Sequence, residues 1–339
     1  MSIDLKQLSA RLGLSPTTVS RALNGYSDVS AATRERVERM ARELGYQPNL
    51  AARRLARGHA DAVGIVYPLD ASDLGDPHFL QVVQGVTDRL EDDRMDLLIA
   101  SAREHSELRT YERLVKGGRV DGVIVARTRV DDARIDYLRQ ARMPFVAYGR
   151  TADCEDFAWF DFDNEAGSVL AVQELARLGH RAIAFVHAPL HFNFANQRYA
   201  GFRRAMADFG REVRPELVVD GGLARRSGYA AALRLLAVAP LPSAIVVDNH
   251  LSGVGVVRAL LDHSIAIGRT ISVVVYDGMP ADSVLMGVRI AAVEQPTDYE
   301  SGRFMADMLL AQIQGRELAQ RHVLLQPVFV GGDSIGPAP

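Results

Sequence analysis

Thr17, Thr18, Ser20 and Arg21 bring hydroxyls and a guanidinium together in one short stretch, and these are the donor and acceptor types that read base edges in a DNA major groove. Whether they act together depends on the element that carries them. Leu5, Leu8 and Leu12 recur at the spacing of one helical face, and Gly13 supplies a left-handed stop. Ser15 is a good N-cap, and Pro16 suits the first position of a second helix, where its missing N–H costs nothing. On that helix Val19 and Leu23 turn inwards, which leaves the four polar residues on the outward face. A third helix starts at Ser30, buries Val37, Met40, Ala41 and Leu44, and stops at Gly45. Asn49 can cap a further short helix with Arg53, Arg54, Leu55 and Arg57, which buries too little to be firm alone. The pattern is a helix-turn-helix.

A second set of chemistry-bearing residues stands at the ends of predicted strands. Asp277 follows Val-Val-Val-Tyr276, Asn249 follows Ile-Val-Val-Asp248, and Arg150 follows Phe-Val-Ala-Tyr148 by two positions. A carboxylate and an amide suit hydroxyl recognition, and a guanidinium can make a forked contact; an aspartate in such a place can equally cap the next helix. Apolar runs at 62–67, 96–100, 121–126 and 144–148, and again at 182–186, 217–220, 244–248 and 272–276, alternate with amphipathic helices. Near-continuous runs joined by helices indicate parallel sheets covered on both faces. The predicted fold is a small all-α head followed by an α/β body of two doubly wound parallel-sheet subdomains, with a ligand cleft where their strand ends face each other.

Composition divides the chain the same way. The net charge is −3, from 39 Lys and Arg against 42 Asp and Glu, but residues 1–60 hold ten basic and five acidic side chains. The basic footprint of a nucleic-acid binder therefore sits on the head. Only Lys6 and Lys116 are lysines, a bias towards arginine that lowers the weight of any single arginine. There is no apolar run long enough for a membrane span and no basic-then-apolar leader, so the expected location is cytoplasmic. The single cysteine, Cys154, excludes an internal disulfide and a cysteine cage for metal.

Thr-Val-Ser-Arg-Ala-Leu-Asn-Gly at 18–25, Gly-Tyr-Gln-Pro-Asn at 45–49 and Ala-Arg-Arg-Leu at 52–55 resemble the LacI family of bacterial transcription regulators. The resemblance implies a helix-turn-helix domain at 1–47, a hinge helix or linker at 48–60, and an effector-binding and dimerisation body at 61–339. It also implies three chain crossings, with a late strand near Ile290 to Val293 before the return to the first subdomain, giving a first subdomain of about 61–161 plus 294–323 and a second of about 162–293 plus 324–339. DNA contacts are implied for Pro16, Thr17, Thr18, Ser20, Arg21 and Asn24, and for Asn49, Arg53 and Leu55 in the hinge, where the leucine would wedge a minor-groove base step and kink the duplex.

In the body, Arg198 within Asn196-Gln-Arg198 lies in the segment that supplies an arginine to the family's effector, and Phe79 matches an aromatic that packs on it; with Arg150, Asn196, Asn249 and Asp277 they form the expected effector site. Asp163-Asn164 reads as a helix start. His250 stands where the family usually has Asp, and His187, His191 and His250 lack metal-ligand spacing. The partners expected are pseudo-palindromic double-stranded operator DNA, a second copy of the chain as a homodimer, and a small effector; no cofactor is expected. Phe145–Thr151 and Asn193–Arg198 look most like regulators responsive to α-glucosides or disaccharides, with a purine or nucleoside as the rival effector. No dinucleotide fingerprint, Walker loop, Gly-x-Ser-x-Gly or His-Glu-x-x-His occurs, so an enzyme is disfavoured.

Overall fold

A computed structural model of the chain describes residues 3–23, 25–46, 59–67, 76–103, 106–279, 287–295 and 298–339. Residues 1–60 and 61–339 form separate compact units. In the head, α1 (Leu5–Leu12) is opened by a capping box in which Asp4 and Gln7 satisfy each other's backbone N–H, and is ended by Gly13 at φ +66°. α2 (Pro16–Leu23) and α3 (Ala31–Glu43) follow. The three helices enclose Leu8, Leu12, Val19, Ala22, Val29, Val37 and Ala41. Leu23, expected inside, is only partly buried, and its neighbour Ala22 takes the fully buried place.

The body contains two six-stranded sheets. The first runs in the order β11-β5-β4-β3-β1-β2, built from β1 (Ala62–Tyr67), β2 (Asp96–Ser101), β3 (Gly122–Val125), β4 (Phe145–Tyr148), β5 (Ala158–Phe162) and β11 (His322–Leu325). All its pairings are parallel. Helices α4 (Pro77–Asp92) and α11 (Asp298–Ile313) cover one face, and α5 (Glu107–Lys116) and α6 (Ala133–Gln140) the other. Gly85 and Gly302 let α4 and α11 approach closely, since a Cβ at either would overlap a backbone carbonyl of the facing helix, Tyr299 or Val82.

The second sheet has the order β12-β10-β9-β8-β6-β7, from β6 (Ile183–His187), β7 (Val218–Asp220), β8 (Ala244–Val247), β9 (Ser272–Tyr276), β10 (Ala291–Glu294) and β12 (Val328–Val330). Its pairings are parallel except for β12, which closes the edge antiparallel to β10. α7 (Asn164–Arg177) and α8 (Asn193–Asp208) pack on one face, α9 (Arg225–Leu236) and α10 (His250–Asp262) on the other. The chain passes between the lobes after Phe162, after Glu294 and after Leu325. The last crossing therefore falls at 326–327, later than the 323–324 junction expected, because Leu325 still pairs with Phe162 in the first sheet.

Candidate functional site

On the head, α2 presents Pro16, Thr17 and Arg21 to solvent, with Thr18 and Ser20 half-buried. Thr18 is partly committed to the fold: its N–H donates to Ser15 Oγ at 3.1 Å, and its hydroxyl lies 2.9 Å from the same oxygen. Arg21 is held by Asp28, with Nη2–Oδ2 at 2.7 Å and Nε–Oδ1 at 3.2 Å, and its guanidinium lies 5.0 Å from the centre of the Tyr26 ring. Asp28 and Tyr26 carry no periodic signal and were not singled out by the sequence. Both partners of this pair are about half exposed, so it contributes only about 0–1 kcal/mol and a DNA group can displace it. Asn24, Asn49, Arg53 and Leu55 lie outside the described residues.

In the body, a cavity of about 180 Å³ separates the two lobes at the carboxyl ends of their strands. That is more than ten times the roughly 10–15 Å³ one water needs. Phe79, Arg198, Asn249 and Asp277 all line it. Arg150 and Asn196 do not. Arg150 donates through Nε to Asp161 Oδ2 at 2.8 Å, and its guanidinium lies 5.4 Å from the Trp159 ring centre. Asn196 faces solvent because α8 turns Arg198, two positions on, inwards.

Arg198 is the hub. It is almost fully buried, its Nε donates to Asn164 Oδ1 at 2.8 Å, its Nη1 donates to the Asp248 carbonyl, and the guanidinium lies 3.8 Å from the Tyr276 ring centre. Asn164 in turn donates to Asp161 Oδ1 at 3.2 Å. The residue read as part of a helix start is thus a link between Arg198 and a buried carboxylate, while Asp163 does the capping. Burial pushes the Asp161 and Asp248 carboxyls above the ordinary range, with Arg150 and Arg198 only partly opposing it.

Asn249 caps α10 through the Ser252 N–H at 2.8 Å and donates to Gly222 O and Asp248 Oδ1, so both its donor hydrogens are already used. Asp277 ends β9 at φ +61°, and Arg127, after β3, sits at φ +50°. Non-glycine residues rarely adopt this region, and one such residue from each lobe lines the cavity, which marks a place where backbone strain is retained. On the first lobe, beside Arg127, Gly149 at φ +105° leaves room for Thr128, whose hydroxyl a Cβ would overlap.

The first lobe adds an aromatic and ionic side. Tyr67 stacks on Phe79 with ring centres 4.0 Å apart and 19° between planes, and Arg127 lies 4.3 Å over Tyr67. Asp76 caps α4 by accepting from His78 N at 3.0 Å and Phe79 N at 3.3 Å. His78 Nδ1 lies 2.5 Å from Asp298 Oδ2. Burial alone would lower His78, but the hydrogen bond to Asp298 and the charges of Asp277, Asp298 and Asp76 outweigh it and raise the pKa to about 9. Asp76 shows the converse: burial would raise it, but His250, the Phe79 N–H and His78 hold it below the ordinary carboxylate value. Tyr148 is driven upwards by burial and by the carboxylates of Asp298, Asp277 and Asp161, so it stays a protonated donor facing the cavity. Among the described residues, no three His, Cys, Asp or Glu side chains group as a metal site.

Residues 5–49 match the family model for bacterial regulatory proteins of the lacI family, and residues 60–331 match that for periplasmic binding proteins and the sugar binding domain of the LacI family. The chain belongs to the LacI family. This LacI-family chain is 39% identical over 334 residues to the HTH-type transcriptional regulator RafR of Escherichia coli, covering 98% of both chains. Its structure is similar to that of the transcriptional regulator CelR–cellobiose complex, with a TM-score of 0.74 and 31% identity over 98% of this chain and 99% of that one. It is also similar to the lac repressor dimer bound to operator and the anti-inducer ONPF, with a TM-score of 0.82 and 25% identity over 98% and 99%. The LacI-family chain is a DNA-binding transcription regulator, not an enzyme. No helix among its described residues is long and apolar enough to cross a membrane.

Proposed function

We propose that this regulator is a cytoplasmic repressor that binds a pseudo-palindromic operator as a homodimer and releases or engages it in response to a neutral sugar, an α-glucoside or disaccharide, held in the cleft. The observation that carries the reading is the Tyr67–Phe79 stack on one cavity wall, opposed by hydroxyl-recognising groups on the others. A pyranose has an apolar face and a polar rim, and this wall offers both complements. Arg198 has Nη2 left for a ligand, and the Asp277 carboxylate accepts no hydrogen bond from a described residue. Charge favours a neutral ligand over a phosphorylated one: Asp76, Asp161, Asp277 and Asp298 line the cavity with Arg127, Arg198 and His78, so an added phosphate would meet a wall already rich in carboxylates. The cellobiose complex of a relative supports the same class.

On the DNA side, Thr17, Ser20 and Arg21 would meet base edges in the major groove, with Pro16, Thr18 and Asn24 beside them, and Asn49, Arg53 and Leu55 would act at the central minor groove. A thermal-shift screen of cellobiose, maltose, other neutral mono- and disaccharides, their phosphates, and purines tests the effector. A ligand at about 100 times its Kd adds about 2.7 kcal/mol of stability. Stabilisation by neutral sugars alone is the expected result; stabilisation only by purines or by sugar phosphates overturns it.

A further inference from the structure

The wall of the cleft carries a contact made between the lobes and within neither of them. Asp76 belongs to the first lobe, as the N-cap of α4, and His250 to the second, as the first residue of α10. His250 Nε2 lies 3.2 Å from Asp76 Oδ1, and its ring centre lies 4.7 Å from that of His78. His250 is only 6% exposed. Even so, the 3.2 Å approach is off the hydrogen-bond axis, and neither ring nitrogen makes a well-directed hydrogen bond to a described residue. A buried polar group left in this state is destabilising, so it calls for a role. At another point the lobes are tied firmly: Val130 N donates to His191 O at 3.0 Å, Asn193 N to Thr128 O at 2.9 Å, and Asn193 Nδ2 to Arg150 O at 2.8 Å.

That interlobe contact is therefore well formed, whereas the one between Asp76 and His250 is incomplete. The incomplete one is flanked by cavity residues on both sides, since Phe79 lies three positions after Asp76 and Asn249 immediately precedes His250. We propose that Asp76 and His250 are positioning residues for the effector response, forming a latch across the cleft whose alignment is completed or broken as the two helix N-termini move with the ligand between them. The proposal rests on the cleft being the effector site, and extends it to how occupancy is transmitted. A ligand that lets α4 and α10 approach aligns Nε2 with the carboxylate; one that wedges them apart separates the pair. Because each partner stands at the N-terminus of a long helix, the change moves a lobe rather than a loop.

The test measures the latch in the full-length, ligand-free protein. Spin labels are placed at Asp92→Cys on α4 and Arg177→Cys on α7, both on well-exposed side chains in separate lobes, in a Cys154→Ser background and mixed with excess unlabelled chain. Interlobe distances are compared for the parent, Asp76→Asn, His250→Gln and the double variant; asparagine keeps the helix cap while removing the charge. We expect each single variant to shift or broaden the distance by more than about 2 Å, the scale of domain rearrangement, and the double variant to add nothing to either. Four identical distributions, or single effects that add, overturn the latch. Millimolar maltose or cellobiose is then added to each: failure to change even the parent distribution counts against the sugar reading and leaves the ligand-free result to decide the latch.

Discussion

The two recognition regions of this molecule are built on opposite plans. The described candidate DNA-contacting residues of the head come from one eight-residue helix and stand largely in solvent, anchored by a core that Val19 and Ala22 supply from the other face. The cleft residues come mainly from the ends of β1, β3, β4, β5 and β9 and the N-terminal halves of α4, α7, α8, α10 and α11, and most are buried and already bonded to one another. In the head, recognition and folding use different residues. In the cleft they share them, so a change there acts on stability and on binding together.

The sharpest test of that contrast is Arg198→Ala. It leaves the Asp248 carboxylate without its counter-charge and Asn164 Oδ1 without a donor, and removal of one member of a buried charge network costs about 3–5 kcal/mol. Urea unfolding should show that loss; a change near zero would place the cleft on the same footing as the head. Asp277→Ala should be gentler on folding and weaken the effector by about 1.5–3 kcal/mol, the range for a hydrogen bond to a charged group, read by calorimetry, with effector-free operator affinity little changed. Arg21→Ala should cost about 1–3 kcal/mol in operator binding and relax preference at one base position while unfolding is unaffected.

Smaller effects refine the comparison. His78 has its pKa raised from 6.5 to about 9, so the folded state holds a proton that the unfolded chain releases earlier. Its contribution to stability is fully present below pH 6.5 and is lost as pH rises towards about 9. The difference in melting temperature between the parent and His78→Gln should therefore shrink across that window; a constant difference would contradict the assignment. Asp28→Asn releases Arg21 from an exposed pair worth less than about 1 kcal/mol, and a small gain in operator affinity is expected in a filter-binding titration.

Legibility followed the same divide. Helical spacing of Leu5, Leu8, Leu12 and Val19 is a local signal, and the head follows it. In the body, eight apolar runs mark strands and the family resemblance adds β10, but Asp161 interrupts the aromatic stretch of β5, and β11 and β12 are short, partly exposed edge strands with no continuous apolar run. Strand ends pointed to Asn249 and Asp277, and the family resemblance to Phe79 and Arg198. Arg150 satisfied the same local criterion and is turned onto Asp161 and Trp159 instead. What sequence could not express is the meeting of Asp76, His78, His250 and Asp298: they are drawn from three helices far apart in the chain, and only the packing of the lobes makes them neighbours.

The central claim, that one ligand in the cleft and one operator at the head are energetically linked, is tested most directly by reciprocity. An operator selected from random duplexes is titrated with the full-length protein with and without the sugar found by the screen, and the sugar is titrated calorimetrically into the protein with and without that operator. Linkage requires both experiments to return the same factor, typically about 5–150-fold. Equal factors different from one are the predicted result; a sugar affinity unchanged by operator would contradict the account.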